Sequence, residues 1–428
     1  MSPFKMILLG VFGFGALVGV VVFATYRGGS SQATGPVVVW GFLPENSMNL
    51  YAKEMGFEQN KQFSFVYVEK DPQTFESDFV KALADGQSPD IVIMREDMLA
   101  LQKSRLLVIP YTSYKERDFK NSFVESTEFL LSDTGLYGLP LYADPLVMYW
   151  NRTLYTNASL SVAPKYWDEF LTLPNKLTKK DNTGTVTQSA IALGEWKNIT
   201  HAKEILANLL LQGGTSIVST LRNGESYSTL MFESNQVSPA YNVLNFYTQF
   251  ANPVTAQYSW NRSLPSSQNQ FILGDLASYL GLASEVSVLR AKNPNLNFDI
   301  ALSPQPRQSE KTLVFSHVYS LVIPKQAKNV AGAFQVISLL ASEAGAKVLE
   351  SYTNLPPVRR GLLSDTPSDP YKAVFYQSAI QSTTWPDPDR KETNTIFQNM
   401  IESITSGRLR ITDALRRADE EVKVLLPK

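Results

Sequence analysis

The sequence predicts an α/β protein of two lobes preceded by one membrane-spanning helix. The chain has 428 residues, more than one domain usually holds, so two globular bodies are the default expectation. Strand-like and helix-like stretches alternate from Val37 to Met94, the pattern of a mostly parallel sheet covered by helices. Ile7 to Ala24 is an uncharged apolar run with no second run like it downstream. As a helix that run rises about 27 Å, close to a bilayer core of roughly 30 Å.

The apolar run has two readings. Lys5 and the α-amino group precede it, and Tyr26-Arg27 follow. Val22-Phe23-Ala24 fits a signal-peptidase site, with small residues at the required offsets. The run is longer than an ordinary signal core, which favours a retained anchor. Gly15 and Gly19 form a GxxxG pattern that suits helix–helix packing in a membrane, though a glycine-rich segment produces that spacing by accident as well. Both readings place the body outside the cytoplasm: residues 1–27 as a cytoplasmic stub and anchor (or uncleaved signal), then a flexible Gly/Ser/Gln linker over 28–36.

The body begins with a buried strand, Val37–Phe42. A helical stretch over Met48–Gln59 and a strand over Phe63–Val68 follow. Phe75, Phe79, Val80 and Leu83 recur at helical spacing, so 75–84 is a helix. The turn Asp85–Pro89 leads into the strand Asp90–Met94. In such sheets ligands bind at the carboxyl ends of strands, which marks the residues just after Val39 and Ile93. Gly138–Pro145 is an extended segment with two prolines, and Leu146–Trp150 reads as a strand. Helical stretches with short strands between them continue over 167–349, among them Ala202–Leu211, Ser238–Ala251 and Val330–Leu349. Thr412–Leu426 is an amphipathic helix with Ala414, Leu415, Ala418 and Val422 on one face.

Composition removes several function classes. Net charge is −1, so no basic field draws in nucleic acid. The chain has no cysteine, which excludes disulfides, thiolate catalysis, cysteine-ligated metals and lipid attachment through an N-terminal cysteine. His201 and His317 are the two histidines, too few for a multi-histidine metal centre; no metal site and no cofactor are expected. The 19 Tyr, 23 Phe and 6 Trp fill two cores and leave aromatics for a binding surface.

From Val37 to Leu426 the sequence resembles the extracellular solute-binding proteins of ABC importers, the maltose-binding-protein-like group. The landmarks occur in family order. They are Trp40 at the first strand end, the Gly86–Ile91 turn and strand, Tyr137-Gly138-Leu139-Pro140, Met148–Tyr155, Tyr166-Trp167-Asp168-Glu169-Phe170, Gln212-Gly213-Gly214, Phe271–Ala277 and Gly407–Leu415. The resemblance implies the two-lobed periplasmic-binding-protein fold with hinge strands, closing on a small solute held in the cleft between lobes. It implies an N-terminal lobe of 37–141 plus 282–318 and a C-terminal lobe of 142–281 plus 319–428. Crossings are expected near Leu141–Pro145, Leu280–Leu282 and Val318–Ile323. The family's usual lipid-anchoring cysteine is absent, and the apolar helix stands in its place.

The same resemblance nominates ligand contacts, each against a plainer role. Asp144 suits vicinal sugar hydroxyls or an amine, or is a turn aspartate before Pro145; Tyr142 beside it is a contact or hinge packing. Trp40 is a stacking platform or core. Arg95 and Asp97 line the third strand's end or are solvated loop charges. Trp196, Trp260 and Trp385 are aromatic platforms or packing residues. Gly281 and Ser284 let a ligand approach the backbone, and His317 is a contact or a buried hinge histidine. No GxSxG elbow, phosphate-cradling loop or HExxH is present, so an enzyme is not expected, although a carbohydrate-active pair of carboxylates remains open on sequence. The expected function is capture of a small solute, carbohydrate favoured, for an ABC permease by a monomeric, single-pass protein. A receptor presenting solute to a sensor or scaffold is the alternative. Met94 stands where many sugar binders carry an aromatic, which leaves the ligand class open.

Overall fold

The computed structural model describes residues 35–60, 63–220, 225–231 and 238–426. The expected helix over 7–24, the point after Ala24 and all of the 28–36 linker except its last two residues lie outside them. Among the described residues no helix is long and apolar enough to cross a membrane. Two compact units divide the chain: one runs to Ala143 and takes in Val318–Asp365, the other is Asp144–His317 with the chain from Thr366 onward.

The first unit starts with β1 (Pro36–Gly41), which buries Val37, Val39 and Gly41 on one face as a strand's two-residue period requires. Helix α1 (Glu45–Glu54) buries Met48, Tyr51 and Ala52. Strand β2 (Ser64–Glu69) runs parallel to β1, with Val39 opposite Tyr67. Helix α2 (Phe75–Ala84) buries Phe75, Phe79, Ala82 and Leu83; Val80, expected on that face, is exposed. Strand β3 (Ile91–Arg95) lies parallel to β1 on its other side and leads directly into α3 (Glu96–Gln102). Gly41 is glycine for want of room: an added Cβ would sit 2.6 Å from the Tyr67 hydroxyl, which donates to the Leu43 carbonyl at 2.9 Å.

Strand β4 (Gly138–Asn151) is continuous and buried along nearly its whole length. The proline-containing segment and the strand expected at 146–150 are thus one element; proline's fixed φ is compatible with extended backbone. In the second unit, the Asn151 side chain caps α4 (Arg152–Asn157) by accepting from the Leu154 N–H. Strand β5 (Val186–Ile191), α5 (Ala202–Gln212), α6 (Pro239–Thr248) and α7 (Ser267–Leu273) follow. Strand β6 (Leu276–Leu282) pairs parallel with β5 and antiparallel with β4. After α8 (Val286–Lys292), β7 (Phe298–Leu302) pairs antiparallel with β4.

Strand β8 (Val314–Val322) carries the chain back into the first unit, where Tyr319–Val322 pair antiparallel with Val92–Arg95 of β3. Helices α9 (Val330–Leu340) and α10 (Glu343–Thr353) complete that unit. They replace the single helical stretch expected over 330–349, because the Ser342 side chain caps a new helix start. Helix α9 lies close enough to β1 that a Cβ on Gly332 would be 2.7 Å from Val37. Back in the second unit are α11 (Pro370–Ile380), α12 (Arg390–Thr405) and α13 (Ile411–Leu425). The last buries Ala414, Leu415, Ala418 and Val422, the face its periodicity marks.

The expected division of the later chain needs correction. Residues 282–317 belong to the second unit and 318–365 to the first, the reverse of the assignment from resemblance. The hydrogen bonds decide it: β7 pairs with β4 residues 147–151, whereas β8 from Tyr319 on pairs with β3. No crossing occurs at Leu280–Leu282, because these residues stay paired with Met148–Leu146 of β4 within the second unit.

Candidate ligand-binding site

In the first unit, candidate residues gather at the carboxyl ends of β1 and β3. The Arg95 guanidinium donates from Nε to Asp97 Oδ1 at 2.7 Å and from Nη2 to Oδ2, a bidentate pair. Burial disfavours the charge on Arg95, but Asp97 beside it outweighs burial and raises its pKa further above the ordinary arginine value. Tyr142 is buried and stacks on Tyr319 with ring centroids 4.6 Å apart. Tyr319 is the register partner of Arg95, and Phe42 meets Tyr319 edge-on at 6.1 Å. The ring of Trp40 is half-buried, with the Lys70 ammonium 3.7 Å from its centroid. Offset and edge-on ring pairs of this kind hold one another's orientation. Phe42, Tyr319 and Lys70 were not singled out from sequence. Phe42 stands two residues after Trp40, one strand period on, which is the signal that marks it.

In the second unit, Asp144 and Ser284 are brought together: Asp144 Oδ1 accepts the Ser284 N–H at 2.9 Å. Asp144 is 3% exposed, and burial pushes its carboxyl above the usual carboxylate range. Ser284 is exposed. Gly281 does not leave open space for a ligand on its Cβ side, because a Cβ there would lie 2.2 Å from Glu285 Oε2 and 2.5 Å from the Tyr279 ring. His317 is buried, with Nε2 3.3 Å from Glu204 Oε1.

The three candidate tryptophans of this unit are packed side chains. Trp260 is fully buried and donates its indole N–H to Asn198 Oδ1 at 3.1 Å. Trp196 is buried just after Gly194, whose φ of +93° and contact with Ala251 leave room for no side chain. Glu195 between them takes a bidentate pair from Arg262, at 3.1 and 3.3 Å. Trp385 is buried against Phe397. Its loop is fastened by Lys203, which donates to the Asp387 carboxylate, to the Arg390 carbonyl at 2.9 Å and to the Thr393 hydroxyl at 2.7 Å. The indoles expected as platforms therefore present little ring face here. Sequence marks the residue type and cannot show which way it points.

Residues 44–347 match the model of the bacterial extracellular solute-binding proteins. The chain belongs to that family. The galactooligosaccharide-binding protein of Bacillus subtilis (strain 168) is similar to this solute-binding protein, 22% identical over 400 residues that cover 92% of this chain and 90% of that one. Among solved structures, the cyclic α-maltosyl-1,6-maltose binding protein from Arthrobacter globiformis has a TM-score of 0.73 at 14% identity, over 91% of this chain and 98% of that one. The Thermus thermophilus maltotriose binding protein, solved with maltotriose, has a TM-score of 0.66 at 17% identity, over 91% and 99%. These likenesses establish the two-unit α/β fold. A solute-binding protein captures and does not transform, so the chain is not an enzyme, and the family places its globular body outside the cytoplasm.

Proposed function

We propose that this solute-binding protein captures a carbohydrate, an oligosaccharide before a simple sugar, and passes it to an ABC-type permease while tethered by its N-terminal apolar helix. The observation that carries the ligand class is the partly exposed aromatic group at the carboxyl ends of β1 and β3, Trp40, Phe42 and Tyr319, next to the Arg95–Asp97 pair. Aromatic faces stack on the apolar faces of sugar rings, and a charged pair supplies acceptors and donors for hydroxyls. The names of the relatives support the same class: their printed ligands include galactooligosaccharide, maltotriose and mannobiose.

Asp144 and Ser284 add a polar contact in the second unit, and Tyr142 backs the platform from behind Tyr319. His317, Trp196, Trp385, Trp260 and Gly281 are buried packing residues of the second unit. Support for the tether comes from the uncharged run over 7–24 and from the lack of any cysteine for a lipid. A tethered receptor stays at high effective concentration near its permease.

The full chain, purified in detergent, is screened by thermal shift against maltotriose, mannobiose, a galactooligosaccharide, amino acids, peptides and polyamines. Stabilisation by an oligosaccharide supports the reading, and a response confined to the nitrogenous ligands ends it. Release of the protein from membranes by alkaline carbonate, or a mature N-terminus after Ala24, would remove the tether.

A further inference from the structure

The chain's two histidines meet at one carboxylate in the second unit. His201 Nδ1 lies 4.0 Å from Glu204 Oε2, and His317 Nε2 lies 3.3 Å from Glu204 Oε1. On its other edge, His201 Nε2 is 3.1 Å from Glu285 Oε1. Glu285 in turn holds the turn that follows β6. Its Oε2 accepts the Leu282 N–H at 3.1 Å and the Tyr279 hydroxyl at 2.8 Å, while Oε1 accepts from Gln268 Nε2 at 2.5 Å. The far side of the same turn is held by Asp144 through the Ser284 N–H. Gly281 must lack a side chain for Glu285 to occupy this place.

We propose that His201 and Glu285 form a proton-dependent clasp on the Gly281–Glu285 turn. Its link to ligand rests on the carbohydrate-binding reading, since Ser284 and Asp144 are contacts only there; the clasp itself does not. His201 is placed for this role by its own backbone. It sits at φ +61°, a left-handed conformation that few non-glycine residues adopt, at the start of α5. That backbone sets the imidazole between the two carboxylates.

The charged groups facing His201 are Glu204 from α5 itself, Glu285 from the turn and His317 from β8. Tyr279 on β6 bonds Glu285, and Asp144 on β4 shares the field of Glu285 and His317. Burial works against a charge on His201, but Glu285 and Glu204 outweigh it and lift its pKa above the ordinary 6.5. The clasp is therefore complete below the unfolded value and is lost as pH rises through the lifted one.

Hydrogen exchange of the 276–286 backbone in the full chain, corrected for intrinsic rates, tests this at pH 5.5 and 8.5. The turn is expected to be about five- to tenfold better protected at the lower pH, the loss of one charge-assisted contact. Two variants should flatten the difference: His201→Asn, since asparagine tolerates the left-handed backbone, and Glu285→Gln. Equal protection at both pH values in the wild type, or a pH difference that survives in His201→Asn, overturns the clasp. Should Glu285→Gln fail to fold, His201→Asn alone decides. Maltotriose, mannobiose and a galactooligosaccharide added as probes separate the two ideas: a titrating turn with no binding of any of the three counts against the carbohydrate reading and leaves the clasp standing. Binding whose affinity ignores pH while the turn titrates removes the link between them.

Discussion

Asp90 ties the first unit together, and its removal has a size that follows from its bonds. It is 3% exposed. One oxygen accepts the Val38 N–H at 2.9 Å and the other the Asn329 N–H at 2.8 Å, joining the start of β1 to the start of α9. The backbone N–H of Asp90 bonds the Val38 carbonyl separately, a bond that alanine and asparagine keep. Asp90→Ala leaves two N–H groups without acceptors, each costing about 1–3 kcal/mol, so the expected loss is about 2–6 kcal/mol. Asp90→Asn keeps one amide oxygen and should lose about half as much. Urea unfolding with the slope held constant reads both, and the melting temperature of a unit this size should fall about 2–4 °C for each kcal/mol. An Asp90→Ala protein within about 1 kcal/mol of wild type would refute the reasoning, as would Asp90→Asn losing more than Asp90→Ala.

Three further substitutions probe the second unit. Asp144 is held above its ordinary carboxylate value by burial, so its folded pKa exceeds its unfolded one; its contribution is complete below the unfolded value and is lost as pH rises through the lifted, folded one. Asp144→Asn should therefore keep the Ser284 bond, cost under about 1 kcal/mol at neutral pH and weaken carbohydrate binding, read by denaturation and calorimetry together. Lys203→Met takes the ammonium from Asp387, where the two side chains are 12% and 2% exposed; a loss of about 3–5 kcal/mol and a changed tryptophan emission from Trp385 are expected. Gly194→Ala combines a positive φ with a Cβ 2.7 Å from the Ala251 backbone nitrogen, so it should cost about 2–4 kcal/mol, measured by thermal melting.

Elements with strong periodicity were legible in the sequence. Helix α2 begins and ends where Phe75, Phe79 and Leu83 put it, and α13 buries the four residues its pattern names. Long-range pairing was not legible, because periodicity carries no record of which strand lies beside which. That is why the unit membership of 282–317 and 318–365 follows only from the β4–β7 and β3–β8 registers. The candidate site was legible only as residue types, for the same reason. Arg95 with Asp97, and Asp144 with Ser284, are brought together as polar pairs. Trp260 and Trp385 are wide rings in polar-looking loops, and only packing reveals that Asn198 and Phe397 hold them inside. The part Tyr319 plays is not marked in the sequence, because it comes from Tyr142 and Phe42, far away in sequence and adjacent only across strands.

The most direct test is titration calorimetry of the full chain with maltotriose, mannobiose and a galactooligosaccharide, repeated on Tyr319→Ala. Saturable binding of at least one of these, weakened tenfold or more (about 1.4 kcal/mol) by loss of the Tyr319 ring, is the result expected. Binding of an amino acid, peptide or polyamine with no response to any oligosaccharide would contradict the account.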